Sequence, residues 1–253
     1  MMNSIIQNKH VRNIIKAIFQ IAFCLTVWQI FSVIVNHSYF LPDVPTTLKA
    51  LFVLVTSSNF FGVIFETIIR VITGLFLGVI LGIFFAIICH KSKIANMLIS
   101  PIISIIKATP VASFIIILWI SVSGKSLPVI IAFLMVLPII FQNIIDGYNS
   151  IPKELEEICT VYEFSALKKF KVLTFPCLIK YLIPAVITAT GLAWKSEIAA
   201  EIIAYTKDSI GYYIHDANYY SDTATVFAWT IVIIVLSIIL EKASKALLRR
   251  FKQ

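Results

Sequence analysis

The chain has 253 residues, of which 59% are hydrophobic and 13% charged, and its mean hydropathy is +0.95. Soluble domains are about 45–50% apolar and about 25% charged, so this chain has too few polar side chains to cover a globular surface. The net charge of +8 does not indicate nucleic-acid binding, because the basic residues form short clusters between apolar runs rather than a basic face. The composition predicts one compact membrane domain over residues 1–253.

Apolar runs long enough to cross a bilayer recur along the chain. A transmembrane helix needs roughly 20 apolar residues, and helices satisfy their own backbone groups within lipid. We predict an all-α integral membrane protein with six transmembrane helices, at residues 14–35, 61–89, 97–120, 127–146, 177–199 and 225–246. The first run is too long for the apolar part of a signal peptide and is predicted to be a retained anchor.

The basic residues are divided unequally between the two sides of the membrane. With the amino terminus inside, the outer loops contain only Lys49, Lys125 and Lys207. The inner segments and inner span edges contain Lys9, Arg12, Lys16, Lys91, Lys93, Lys153, Lys168, Lys169, Lys171, Lys180, Lys242, Lys245, Arg249, Arg250 and Lys252. This positive-inside bias predicts that both termini lie in the cytoplasm.

Small residues recur every four positions in the second span, at Gly74, Gly78, Gly82 and Ala86. This spacing places them along one helix face, which another helix can approach closely. We predict a packing face without chemistry.

Two prolines, Pro101 and Pro110, are predicted to interrupt the third span, because proline lacks the N–H that a helix needs. Such breaks are tolerated where they face protein or a cavity. Lys107 lies between them, and either extends to the inner interface or lines a pathway beside the break.

The inner connection at residues 147–176 is the only extended charged segment. Ser150 and Pro152 predict the start of a helix over about 152–163. Its apolar residues, Leu155, Ile158, Cys159 and Tyr162, form one stripe. A connection this short has no core of its own, so the stripe either docks on a partner or packs back on the chain's own helix ends.

This connection resembles the EAA loop of permease subunits of bacterial binding-protein-dependent ABC importers. Glu157, Ile158 and Cys159 stand at the Glu-Ala-Ala positions, Glu163 at the family glycine and Pro176 at the proline before the next span. A glycine permits positive φ, whereas a glutamate at 163 either continues the helix or adopts that turn with a strain of about 1 kcal/mol.

The resemblance extends over about residues 60–246. The runs LFLGVILGIFFAII, KATPVASFIIILWI and WKSEIAAEIIAYTKDSIGYYIHDA, the last with Trp194, Ala200, Glu201 and Gly211, are similar to permeases of the nitrate, sulfonate and taurine uptake group. The resemblance implies a type I importer permease that forms a two-fold homodimer in lipid. Its implied partners are two ABC ATPase subunits, which bind ATP and Mg, and an extracytoplasmic substrate-binding protein. The ATPase-coupling residues it implies are Glu154, Leu155, Glu157, Ile158, Cys159, Tyr162, Glu163 and Pro176.

Charged residues within or at the edge of spans are candidates for a pathway or gate, since charges in lipid are costly. They are Arg70, Lys107, Lys195, Glu197 and Glu201. Arg70 is spaced to pair along its own helix with Glu66, which would be a structural role. The two later glutamates form either a solvated helix end or a contact of the pathway.

The sequence contains no catalytic motif, such as a phosphate-binding GxxxxGK[ST] loop or HExxH. The four histidines are far apart and the four cysteines are predicted to be reduced, so we expect neither enzyme activity nor a metal or cofactor bound by this chain. The main hypothesis is an importer permease for a small solute, such as the anions sulfonate or nitrate; related permeases carry neutral or cationic vitamin precursors. The alternative is a secondary transporter or channel that uses the intramembrane charges without an ATPase.

Overall fold

The computed structural model describes residues 9–35, 37, 40–122 and 124–249, and this described part is all-helical, without strands. The helices are α1 (Lys9–Val35), α2 (Val44–Val55), α3 (Phe60–Lys91), α4 (Lys93–Ala108), α5 (Val111–Ser121), α6 (Ser126–Asn149), α7 (Lys153–Val161), α8 (Ala166–Lys169), α9 (Phe175–Ile203), α10 (Ile210–Tyr219) and α11 (Thr223–Arg249). A π-helical turn, Phe170–Thr174, joins α8 to α9. Arg250 and Lys252 of the predicted inner basic set lie outside the described residues.

Five single helical runs of the described chain are long and apolar enough to cross a membrane. They are Ile18–Val35, Phe60–Lys91, Ser126–Asn149, Ala166–Ile203 and Thr223–Leu248. The first of them covers most of the first predicted span, and the others contain the second, fourth, fifth and sixth. The all-α membrane fold is therefore confirmed, and the number of spans is six if the bent pair described next is counted as one.

The third predicted span, 97–120, is a bent pair of helices. The axes of α4 and α5 differ by 104°. Pro110 causes the break, since it has no N–H to donate and holds Thr109 extended, at φ −79° and ψ 129°. The prediction that Pro101 also interrupts the helix is wrong, because α4 continues through it from Lys93 to Ala108.

Contacts divide the described chain into two compact units. The smaller contains the described residues up to Phe60 together with Asp216–Val232, and the larger contains Phe61–His215 and the described residues from Ile233. A single domain over residues 1–253 stays a prediction. The functional candidates below all lie in the larger unit.

In the smaller unit, α2 begins at a capped turn. The backbone N–H of Thr46 donates a hydrogen bond to Oδ1 of Asp43 at 2.9 Å, which satisfies one of the free donors of the first turn. Hydrogen bonds from the side chain and the backbone of Thr46 lower the pKa of Asp43. The indole of Trp28 donates to the carbonyl of Pro42 at 3.0 Å. These bonds fix the loop that leads into α2.

The core of the larger unit is built on α6. Its buried face packs against α9 and, on another side, against the small-residue strip of α3. Along the strip, Gly74 lies opposite Ala132, Gly78 opposite Val136 and Gly82 opposite Ile140, and a Cβ on each glycine would come within 2.6, 2.6 and 2.8 Å of the facing Cβ. The predicted packing face is confirmed, since larger side chains would force the two helices apart.

Candidate functional site

The helix predicted at residues 152–163 is α7. Pro152 occupies its N-cap position with an extended backbone and no side-chain cap. The prediction that Ser150 starts this helix is wrong, because its hydroxyl donates to the carbonyl of Gly147 at 2.8 Å and so closes the end of α6. Two residues thus separate the last residue of α6 from Pro152.

Most of the apolar stripe on α7 is exposed. Ile158 is 48% exposed and Tyr162 71%, while Leu155 is also exposed, and Val161 beside them is 79% exposed. The interpretation that the stripe packs back on the chain's own helix ends is therefore wrong for these residues. Cys159 is the exception at 7%. It is turned about 100° from Ile158 around the helix, so the structure assigns it to the loop's own packing rather than to a docking surface.

The end of α7 is a Schellman motif centred on Glu163. The N–H of Glu163 donates to the carbonyl of Thr160 at 3.0 Å, and the N–H of Phe164 donates to that of Cys159 at 2.9 Å. Glu163 has φ +51°. The turn therefore keeps the left-handed conformation that glycine adopts without cost, and the glutamate adopts it at about 1 kcal/mol.

Charged residues lie around α7 outside the apolar stripe. Glu154 and Glu156 are in the first turn, where carboxylates favour the positive end of the helix dipole. A carboxylate oxygen of Glu156 lies 3.0 Å from Nζ of Lys169, which links α7 to the end of α8. Glu157 lines an open cavity of about 620 Å³ together with Thr160. These contacts orient α7 within the chain and leave its apolar stripe uncovered.

The chain passes from α8 into α9 without a break. Through the π-helical turn, the N–H of Phe175 donates to the carbonyl of Phe170, five residues earlier. Pro176 follows directly, at the start of α9, and has no N–H to donate to the preceding turn. The whole run Ala166–Ile203 is nevertheless one helical segment, so the segment next to α7 is continuous with a membrane span.

A buried ion pair joins α3 to α9. Nη1 of Arg70 donates to Oε1 of Glu201 at 2.7 Å, with the two side chains 5% and 0% exposed. Nη2 of Arg70 lies 3.3 Å from Oε2 of Glu66 and 3.3 Å from the carbonyl oxygen of Asp208. The predicted pairing of Arg70 with Glu66 is confirmed, but the shorter contact is the one to Glu201. Arg70 is thus occupied by acceptors from three segments of the chain.

The carboxylate of Glu201 also fixes the start of α10. The hydroxyl of Thr67 donates to it at 3.0 Å and the N–H of Gly211 at 3.1 Å. Thr67 in turn accepts the N–H of Ile210 at 3.2 Å. A Cβ on Gly211 would overlap the Cβ of Glu201, so this close approach requires glycine.

Glu197, one turn before Glu201, is completely buried. Neither of its carboxylate oxygens has a hydrogen-bond partner among the described residues. The interpretation of these two glutamates as a solvated helix end is wrong, since helix packing covers both of them. Lys195, in contrast, is exposed. A pathway role for these three residues stays a prediction.

Lys107 lies beside the bend between α4 and α5. It lines two adjoining cavities of about 560 and 210 Å³, and both cavities also contact Pro138 and Gln142 of α6. The structure therefore places Lys107 at a cavity next to the proline break, and a pathway role for it stays a prediction.

Residues 78–253 match the family of binding-protein-dependent transport system inner membrane components. The chain belongs to this family. The permease is 25% identical to the putative aliphatic sulfonates transport permease protein of Bacillus subtilis (strain 168) over 218 residues, which cover 85% of the permease and 78% of that relative. It is 22% identical to the taurine transport system permease protein of Escherichia coli (strain K12), over 94% of the permease and 89% of that protein.

The permease also resembles a solved chain. The structure described as inward facing conformations of the MetNI methionine ABC transporter aligns with a TM-score of 0.63 and 13% identity, over 74% of the permease and 93% of that chain. This likeness shows the fold. Family and relatives agree that the permease is the membrane-spanning subunit of an ABC importer, a transport component of the inner membrane rather than an enzyme. A permease of this family works with an ATPase and a substrate-binding protein. The secondary-transporter alternative finds no support.

Several residues of the network around Arg70 were not predicted. Thr67 and Asp208 contribute through a hydroxyl and a backbone carbonyl, which no charge pattern indicates. Lys125 lies 3.5 Å from Glu66 and 3.3 Å from Asp208. In the sequence, residues of opposite charge lie near the ends of several apolar runs, and this pattern could have predicted the contacts of Lys125. No group of three or more metal-ligating side chains occurs in the described part of the chain, and its cysteines are free thiols.

Proposed function

We propose that the permease works as one half of a homodimer, that the exposed stripe of α7 docks on an ABC ATPase subunit, and that the complex contains two copies of each chain. ATP and Mg²⁺ are held by the ATPases, and the pathway passes a small anion delivered by the extracytoplasmic binding protein. The observation that carries the docking proposal is the exposure of Leu155, Ile158, Val161 and Tyr162 on a helix whose backbone is otherwise well fixed. Apolar side chains uncovered together favour a protein partner.

The connections of α7 suit the transmission of movement. The Schellman motif at Glu163 and the ion pair from Glu156 to Lys169 hold α7 against the start of the long helical run Ala166–Ile203. A displacement of α7 by the ATPase is thereby passed to α9, which packs along α6. ATP-dependent closure of the ATPases then favours one arrangement of the spans over the other.

The substrate class follows from the relatives and from charge. The two relatives described above are named for aliphatic sulfonates and for taurine, and both kinds of compound carry a sulfonate group. Arg70 is occupied by protein acceptors, so Lys107 and Lys195 are the predicted pathway cations still available to an anion.

The test is co-purification of the tagged permease with its ATPase, comparing Ile158→Asp with Thr160→Asp. Both changes add one carboxylate to an exposed position of α7, but Thr160 lies about 160° around the helix from Ile158. We expect Ile158→Asp to reduce recovery of a two-plus-two complex at least tenfold, because an unpaired charge in an apolar interface is costly. Thr160→Asp should recover the complex normally.

Thermal denaturation of the permease alone supplies the second readout. Ile158→Asp should melt much like the wild type, since about half of the side chain of Ile158 is exposed, whereas Cys159→Asp should be destabilised because Cys159 is buried. Full complex recovery and uptake by Ile158→Asp would refute docking through this stripe.

A further inference from the structure

One face of α4 is polar although the helix is otherwise apolar. Asn96, Ser100, Ser104 and Lys107 are spaced four, four and three residues apart, so they share that face. All four line the cavity of about 560 Å³, with Gln142 on the facing helix α6. Polar side chains within a membrane span face protein or a water-filled cavity. The polar face of α4 and the cavity therefore indicate an aqueous space rather than a lipid contact.

The charge of this cavity comes from Lys107. Among the described residues, the side chains that line it and the adjoining cavity of about 210 Å³ include no carboxylate. Lys107 also forms no ion pair within the described part of the chain. The carboxylate of Asp146, one turn beyond Gln142, accepts a hydrogen bond from the Gln142 amide at 2.9 Å. Lys107 thus faces the cavity without a protein counter-charge in the described part of the chain.

We propose that Lys107 is the anion-recognising residue of the transport pathway, and that this cavity is a subsite for a small oxyanion such as a sulfonate group. The proposal rests on the proposed function, because it names the residue that recognises the proposed substrate class. The ammonium group supplies a point charge with three donors, and the amides of Gln142 and Asn143 add neutral polar groups beside it. A volume of about 560 Å³ lies within the usual range of small-molecule sites, roughly 300–1,000 Å³.

The subsite can be tested without knowing the natural substrate. The variant Ser104→Cys, changed one turn from Lys107 on the polar face, is reacted in the purified permease–ATPase complex with two methanethiosulfonates of similar size. One reagent carries a sulfonate and the other a trimethylammonium group. Mass spectrometry of the peptide that contains residue 104 gives the two labelling rates, so the native cysteines can remain. The rates are measured with Lys107 intact, with Lys107→Met and with Lys107→Arg.

We expect the ratio of anionic to cationic labelling to fall about tenfold in Lys107→Met and to be restored in Lys107→Arg, because the effect requires the charge. The control variant Thr160→Cys, whose position lines neither cavity, should give the same ratio in all three backgrounds. An unchanged ratio at residue 104 would refute anion recognition by Lys107, and failure of both reagents to label it would refute an aqueous cavity. Either result leaves complex formation through Ile158 intact, so failure of this proposal is distinguishable from failure of the docking proposal.

Discussion

Two regions of the permease depart from the usual placement of side chains, one because it buries charges and the other because it exposes apolar groups. Between Arg70 and Glu201, an ion pair is buried and neutralised by the chain itself, and contacts of 2.7–3.3 Å from several segments surround it. Along α7, a group of apolar side chains is about half exposed or more within the described part of the chain. A buried charge that the protein neutralises is a part of the architecture, whereas an apolar face that the protein leaves open is a surface for a partner. The two regions should therefore respond differently to substitution.

The largest effect is expected for Arg70→Met, which leaves the buried carboxylate of Glu201 without its cation. Removing one partner of a buried ion pair costs about 3–5 kcal/mol. We expect a large loss of purified, monodisperse permease and a clear fall in its melting temperature, measured by thermal denaturation in detergent. Ile158→Asp, which introduces a charge on the exposed stripe, should leave that temperature unchanged.

A double variant separates loss of charge balance from loss of packing. Arg70→Met with Glu201→Gln removes both charges and should recover part of the stability that Arg70→Met loses, because no unpaired charge remains between them. If Arg70→Met alone melts like the wild type, the ion pair is not part of the architecture and the contrast with α7 fails.

A smaller effect is expected at the contact of α3 with α6. In Gly78→Ala the new Cβ would lie 2.6 Å from the Cβ of Val136, so the helices must separate. Overpacking of this kind costs about 1–3 kcal/mol. Gly191→Ala is the matched control, since this glycine is also inside a helix but has no atom within 4 Å of the Cβ position. The control should be neutral or slightly stabilising. Equal melting temperatures for the two variants would contradict close packing at Gly78.

The features that the sequence predicted well depend on local pattern. Span positions follow from the length of apolar runs, and the strip from Gly74 to Gly82 follows from its spacing of four. The spacing of the EAA-like loop located the turn at Glu163, where φ is +51°. The turn keeps its left-handed backbone without glycine because the two hydrogen bonds of the Schellman motif hold it there.

The features that the sequence did not predict depend on how helices are rotated and packed. Arg70 and Glu201 are 131 residues apart, and nothing local to either indicates the other. Cys159 and Ile158 are adjacent in the stripe, but only the rotation of α7 in its loop decides that one is buried and the other exposed. Pro101 and Pro110 look alike as helix breakers, yet only Pro110 lies at a bend, so surrounding structure decides which proline ends a helix.

The smallest effect is expected for Lys125→Met. Lys125 lies 3.5 Å from Glu66 and 3.3 Å from Asp208, and all three side chains are about half exposed. Such pairs contribute about 0–1 kcal/mol and are screened by salt. Melting temperatures are compared at about 0.05 M and about 0.5 M salt. Lys125→Met should melt at a slightly lower temperature than the wild type only at the lower salt concentration. The lower melting temperature of Arg70→Met should persist at both salt concentrations, because the low-dielectric surroundings of Glu201 keep ions out. If salt abolishes the Arg70→Met deficit as well, burial is not what separates the two ion pairs, and the charges around Glu201 are reached by water.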